Sequence, residues 1–168
     1  MTEVGVGRWP PERLAERLSA ACYGTVLVLA ALPLISADEV ASGVGWELVA
    51  GVGIATWVAH LYAEAVGDHI RSGAALDRAE LRIAATDGLP IPLAAVPPGV
   101  VLALGRLDVL DPRVALWIAV GVAVVQLVAV GAFVGSVVSS QRGGPWSYAA
   151  AIAVVGVAVV VLKLALGH

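Results

Sequence analysis

Apolar residues fall along this chain in long blocks separated by short polar stretches. A helix needs about 20 apolar residues to cross the hydrocarbon of a bilayer, and runs of that order recur. The first extends from Ala20 to Ser36, with Pro33 near its end, and the second from Trp46 to Val66, closed by Gly67-Asp68-His69. The third, Leu89 to Gly105, is the shortest and carries Pro90, Pro92, Pro97 and Pro98. The fourth is Val114 to Ser139, and the fifth is Trp146 to Leu166, broken only by Lys163. Two polar segments carry helical patterns of their own. Pro10 to Leu18 predicts a short amphipathic helix, with proline in its first turn and Leu14 and Leu18 one turn apart. Between His69 and Gly88, Ala79, Leu81, Ile83 and Ala84 mix with Asp77, Arg78, Glu80 and Arg82, a pattern for a helix lying on the membrane surface.

The expected fold is therefore all-α: a polytopic helical membrane protein with about five transmembrane helices plus short amphipathic surface helices. Residues 1–19 form the amphipathic N-terminal segment, 20–66 the first two spans, 67–88 the surface helix and 89–168 three further spans, of which 89–105 is the weakest. Leu34-Ile35-Ser36-Ala37 resembles a small-residue cleavage site, but the long leader with its acidic residues favours a retained first helix.

Composition narrows the function. Hydrophobic residues make up 60% of the chain and charged ones 14%, and the mean hydropathy is +0.92. Soluble domains are about half apolar and a quarter charged, so a water-soluble enzyme is excluded and the lipid bilayer is the main partner. A single cysteine excludes a disulfide framework and a cysteine-based zinc or iron–sulfur site. A net charge of −3 offers no basic footprint for nucleic acid. Motifs of nucleophilic, nucleotide-dependent or zinc-protease chemistry are absent, and no enzyme activity is expected. Met1 is the sole methionine, so no methionine-lined copper path exists.

Lysine and arginine in short loops set orientation. With five spans, Arg8, Arg13, Arg17, Arg71, Arg78, Arg82 and Arg142 fall on one side, and Arg106, Arg113 and Lys163 on the other. A re-entrant third run would leave only Arg142 outside. Hydrophobic length favours five spans, and both schemes put the N-terminus in the cytoplasm of a bacterial cell. Trp46 and Trp117 then mark the outer interface, and Trp146 with Tyr148 the inner one.

Helices in lipid associate through small residues that let backbones approach. Span two carries Gly51, Ala55, Ala59, Ala63 and Gly67, and span four carries Ala115, Ala119 and Ala123 followed by Gly131 and Gly135. Both rows predict helix contacts, and a homodimer is expected, with another membrane protein as a further partner.

Ionisable side chains inside spans mark sites. Thr56, His60, Glu64 and Asp68 recur every four residues of span two and so share one helical face. That stripe adjoins the small-residue row and is expected to face a neighbouring helix. His60, Glu64 and Asp68 are candidate ligands for a divalent cation, the one cofactor the residues suggest. Thr56, His60, Glu64, Tyr23 and Gln126 are candidates for a proton or ion pathway, Tyr23 lying level with Glu64 and Gln126 reaching from span four.

Tyr23-Gly24-Thr25-Val26-Leu27-Val28-Leu29, the stretch Trp57 to Glu64 with Gly67, and Leu162-Lys163 resemble a group of small actinobacterial integral membrane proteins, a likeness that implies no activity. More distantly, the layout resembles the vacuolar-iron-transporter-like family. Its members have five spans, a cytoplasmic helical segment after span two, a proline-containing third span and a dimeric assembly. That resemblance implies divalent-metal export against protons, with Glu64 where the family has a transport glutamate. Tyr23-Gly24-Thr25 stands where the family has an aspartate in span one. Together these readings predict a cation or proton transporter using the His60/Glu64 pair, with a non-transporting membrane subunit or scaffold as the alternative.

Overall fold

A computed structural model describes residues 11–73, 77–138 and 154 of the protein. Helix α1 (Pro11–Ala31) runs unbroken into a 3-10 turn (Leu32–Leu34), followed by α2 (Ala37–Ser42) and the long α3 (Val44–Ser72). Then come α4 (Arg78–Asp87), the single turn α5 (Pro90–Leu93), α6 (Val96–Arg106) and α7 (Pro112–Val138). Among the described residues the chain is helices joined by short turns, with no strand, as the blocks require. The segments Arg13–Leu34, Val44–Ser72 and Pro112–Val134 are long and apolar enough to span a bilayer. Arg78–Leu93 together with Val96–Arg106, bent by 43°, can make a fourth. The predicted fifth span, with Trp146, Tyr148 and Lys163, lies outside the described residues.

The turns follow from local chemistry. Ser36 caps α2: its hydroxyl accepts from the Glu39 backbone N–H, while the Glu39 carboxylate accepts from the Ser36 N–H at 2.8 Å. The Ser36 backbone N–H and, secondarily, its hydroxyl both donate to the Glu39 carboxylate and hold that carboxyl below its ordinary pKa. Asp77 and Glu80 cap α4 in the same manner, and the Asp111 carboxylate accepts from the Arg113 and Val114 N–H groups where α7 begins. Gly43 links α2 to α3 at φ 90°, a conformation that side chains disfavour.

The third apolar run crosses the bundle instead of doubling back. At its beginning Asp87 lies against Arg13 and Arg17 at the N-terminal end of α1. At its finish, Gly105 abuts Val40 of α2, and the Arg106 side chain packs over Gly43. Those contacts sit at opposite ends of α1, so the proline-rich segment is a broken span and no re-entrant loop. The break at Ala94–Ala95 has a direct cause. Pro97 and Pro98 suit the first turn of α6 but have no N–H to give the carbonyls of Leu93 and Ala94.

The core joins α1 (Val28, Leu29), the 3-10 turn (Leu32), Val40, Val49, Leu102 and the α7 row Ala115, Ala119, Ala123 and Leu127. The alanines of the row predicted on span four therefore pack against the chain's own core. The row on span two faces away from that core. Gly51, Ala55, Ala59 and Ala63 are exposed, whereas α3 packs through Gly45, Val49 and Gly53. These positions lie two residues, about 200°, around the helix from the predicted row. Alpha-carbon approach selects them: a Cβ on Gly53 would lie 3.2 Å from the Pro92 Cα.

Candidate functional site

The stripe Thr56–His60–Glu64–Asp68 sits about 60° from the packed edge of α3, and all four residues are half-buried. Within it, His60 Nε2 approaches Glu64 Oε1 at 3.3 Å, their side chains 33% and 38% exposed. The (i, i+4) spacing stacks the two groups one turn apart. Asp68 turns the other way. Its carboxylate pairs with Arg71, and its backbone carbonyl accepts from Ser72 Oγ at 2.7 Å. The three predicted metal ligands thus do not converge, and among the described residues no group of three His, Cys, Asp or Glu side chains is placed to hold a metal ion.

The predicted pathway residues are likewise dispersed. Tyr23 is 52% exposed on the outside of α1 and lines no interior site. Its neighbour Thr25 is buried and donates to the Ala21 carbonyl at 2.8 Å. Gln126 does not reach toward His60 or Thr56. Its Nε2 donates to the Ala94 carbonyl at 3.5 Å, the oxygen that Pro98 leaves without a partner. Gln126 therefore serves the broken span, and its Oε1 is buried without a hydrogen bond.

Where α4 meets α1 lies an arrangement that sequence reading missed. Asp87 is only 6% exposed, at the last position of α4. A carboxylate there opposes the helix dipole, and a buried charge needs a partner. Arg13 Nε at 3.9 Å and the Arg17 guanidinium at 3.6 Å supply opposite charge, both beyond hydrogen-bond range. Asp87 Oδ1 has no hydrogen-bond donor. Asp87, Arg13 and Arg17 thus form a charged cluster where α4 meets the N-terminal end of α1.

Trp57 fixes the geometry. Its indole N–H donates to the Ala85 carbonyl at 3.1 Å and ties α4 to α3 one turn before His60. Gly88 leaves space for the ring, since a Cβ there would lie 3.1 Å from the indole Cδ1. The apolar blocks gave no signal for this cross-helix bond. The signal for the Asp87 clasp was present: Arg13 and Arg17 share one helical face, and their repulsion called for an acid elsewhere.

No family model, no curated protein and no solved structure matches this chain.

Proposed function

We propose that this is a protein of the bacterial cytoplasmic membrane, N-terminus inside, that conducts protons along α3 with His60 and Glu64 as the exchanging pair. The observation that carries the reading is the 3.3 Å contact between an imidazole and a carboxylate within an apolar helix, both partly accessible. Such groups are costly in lipid unless they pair or serve a pathway, and histidine exchanges protons near neutral pH. Protons suit the site better than a divalent cation. Hard divalent ions take about six or more oxygen ligands, and two converging side chains fall well short. The layout resemblance to vacuolar-iron-transporter-like proteins agrees with the broken third span and with the glutamate near one end of span two, but the metal chemistry is not carried over.

The test is proton flux into proteoliposomes under an imposed pH gradient. Glu64→Gln keeps the shape of the side chain and cannot exchange a proton, so flux should vanish while the protein remains folded. Unaltered flux in folded Glu64→Gln would overturn proton conduction. One observation favours the second reading, a non-transporting membrane subunit or scaffold that binds another membrane protein: the exposed row Gly51, Ala55, Ala59 and Ala63 is the surface on which another helix could approach closely. A protein with no flux, and with Glu64→Gln costing only stability, would support it.

A further inference from the structure

The hydrogen bond from the Trp57 indole to the Ala85 carbonyl, 3.1 Å long, also fixes where α4 runs. Beyond Trp57, α3 continues to its C-cap Gly73, about 24 Å further along at 1.5 Å per residue. The chain is back at Ala85 only twelve residues later. From Asp77 to Ala85 the helix and its cap cover about 12 Å, and the stretch from Gly73 to Asp77 reaches at most about 14 Å. The available length barely exceeds the length to be retraced, so α4 runs back beside α3, antiparallel to it, past Glu64 and His60. It does not lie flat there: Arg78 to Ile83 are exposed, and burial begins at Ala84. Helix α4 therefore meets α3 at its last turn and diverges from it, leaving a wedge-shaped opening. The apex is where the indole rests on Gly88; a Cβ there would lie 3.1 Å from Cδ1 and 3.2 Å from Nε1. Trp57, His60 and Glu64 stand at i, i+3 and i+7 on one face of α3, and the accessibility of that face follows the wedge. Gly53 is buried one turn before Trp57, whereas the His60 and Glu64 side chains beyond it are 33% and 38% exposed.

We propose that Trp57 is the positioning residue of the His60/Glu64 pair: it pins the last turn of α4 to α3 and so sets the width of the opening through which the pair meets water. This rests on the proton-conducting reading. The indole suits the role on two counts. At the C-terminal end of α4 the Ala84 and Thr86 carbonyls accept from the Gly88 and Leu89 N–H groups, and Trp57 supplies the donor for Ala85 between them. Its ring also seats only against a residue without a Cβ, which Gly88 provides. The charges on the flanking elements are Glu16 and Arg17 of α1, Asp68 of α3, and Arg78, Glu80 and Arg82 of α4. Those of α4 move with it, so the pH dependence of exchange at the pair responds to where α4 is held.

The experiment measures proton flux against pH in proteoliposomes for wild type, Glu64→Gln and Trp57→Phe. In parallel, a water-soluble maleimide titrates the thiol of Glu64→Cys, in a Cys22→Ser background, with and without Trp57→Phe. Phenylalanine keeps a ring against Gly88 and removes the donor. Trp57→Phe should displace the pH profile of the flux and speed the labelling about threefold, the weight of one interhelical hydrogen bond in a membrane. An unaltered labelling rate would overturn the claim that Trp57 sets the opening. A wild-type pH profile in folded Trp57→Phe, with Glu64→Gln inactive, would overturn the positioning role and leave conduction by Glu64 standing. Full flux in folded Glu64→Gln would remove the conduction reading and the positioning role with it. Should Trp57→Phe fail to fold, Gly88→Ala decides, because its Cβ presses on the ring from the α4 side: wild-type labelling and a wild-type profile there refute the proposal.

Discussion

Replacing Gly24 with alanine tests the packing at the centre of the bundle. A Cβ at Gly24 would lie 2.7 Å from the Ile91 carbonyl oxygen and 2.8 Å from its Cα, both backbone atoms. Ordinary contact begins at 3.4 Å, so α1 and α5 must separate by about 0.7 Å. Neither can do so freely. Ile91 is fully buried, and α5 is held on its far side by Gly53, where a Cβ would lie only 3.2 Å from the Pro92 Cα. Overpacking of this kind costs about 1–3 kcal/mol. With backbone against backbone and no rotamer to absorb the shift, the upper end applies. Alanine recovers about 1 kcal/mol of helix propensity, so the net loss is about 2 kcal/mol. Gly51→Ala is the control: nothing lies within 4 Å of its Cβ position, and the exchange should stabilise by about 0.5–1 kcal/mol. The two variants should thus differ by about 3 kcal/mol, on the order of 6–12 °C in Tm for a chain of this size. Cys22, the only cysteine, is part-buried two residues from Gly24, so a thiol-reactive dye reports the opening of α1 on heating in detergent. Equal melting temperatures, or a more stable Gly24→Ala, would refute the packing argument.

Gln126→Leu should strand the Ala94 carbonyl and destabilise the fold by about 1 kcal/mol, since interhelical side-chain hydrogen bonds in membranes are worth on the order of 0.6 kcal/mol and a stranded carbonyl adds to the loss; detergent unfolding checks it, and an unchanged midpoint would count against it. The lowered pKa of Glu39 fixes a sign: its contribution to the α2 cap is present above the ordinary glutamate range and is lost as pH falls through the lowered value. The protection factors of the α2 amides, exchange rates corrected for their intrinsic pH dependence, should therefore fall as pH drops below the ordinary glutamate range, and Glu39→Gln should abolish that dependence. Cysteines placed at Ser72 and Asp108 should label from opposite sides of the membrane, as the crossing of the third run requires; labelling from one side would restore the re-entrant scheme.

Much of the architecture was legible in residue pattern. Apolar blocks located α1, α3 and α7, and the prolines located the break between α5 and α6, because missing N–H groups leave carbonyls unsatisfied whatever the surroundings. The boundary expected at residue 19 does not exist as a break: α1 continues from Pro11 to Ala31, since nothing between Leu18 and Ala20 opposes a helix. Small-residue rows were an ambiguous guide. Ala115, Ala119 and Ala123 meet neighbours within the chain, whereas Gly51 to Ala63 do not, because periodicity says which residues share a face but not whether that face meets the chain's own helices or those of another protein. For the site, the four-residue spacing alone brings His60 to Glu64. The clasp of Asp87 by Arg13 and Arg17 joins residues about 70 positions apart, and Trp57 to Ala85 spans 28, so both required the fold.

The bond between Gln126 and Ala94 also bears on the order in which the chain can be built. Its two residues are 32 positions apart. When the proline-rich segment leaves the ribosome, α7 has not yet been made, and the Ala94 oxygen has no protein donor in lipid. Translocation machinery that tests segments one at a time would therefore find the third run a poor candidate for release into the bilayer. Its commitment is expected to wait for α7, so that the two segments enter as a pair. A nascent chain halted before Pro112 should leave the third run accessible to water, and one extended past Val138 should bury it.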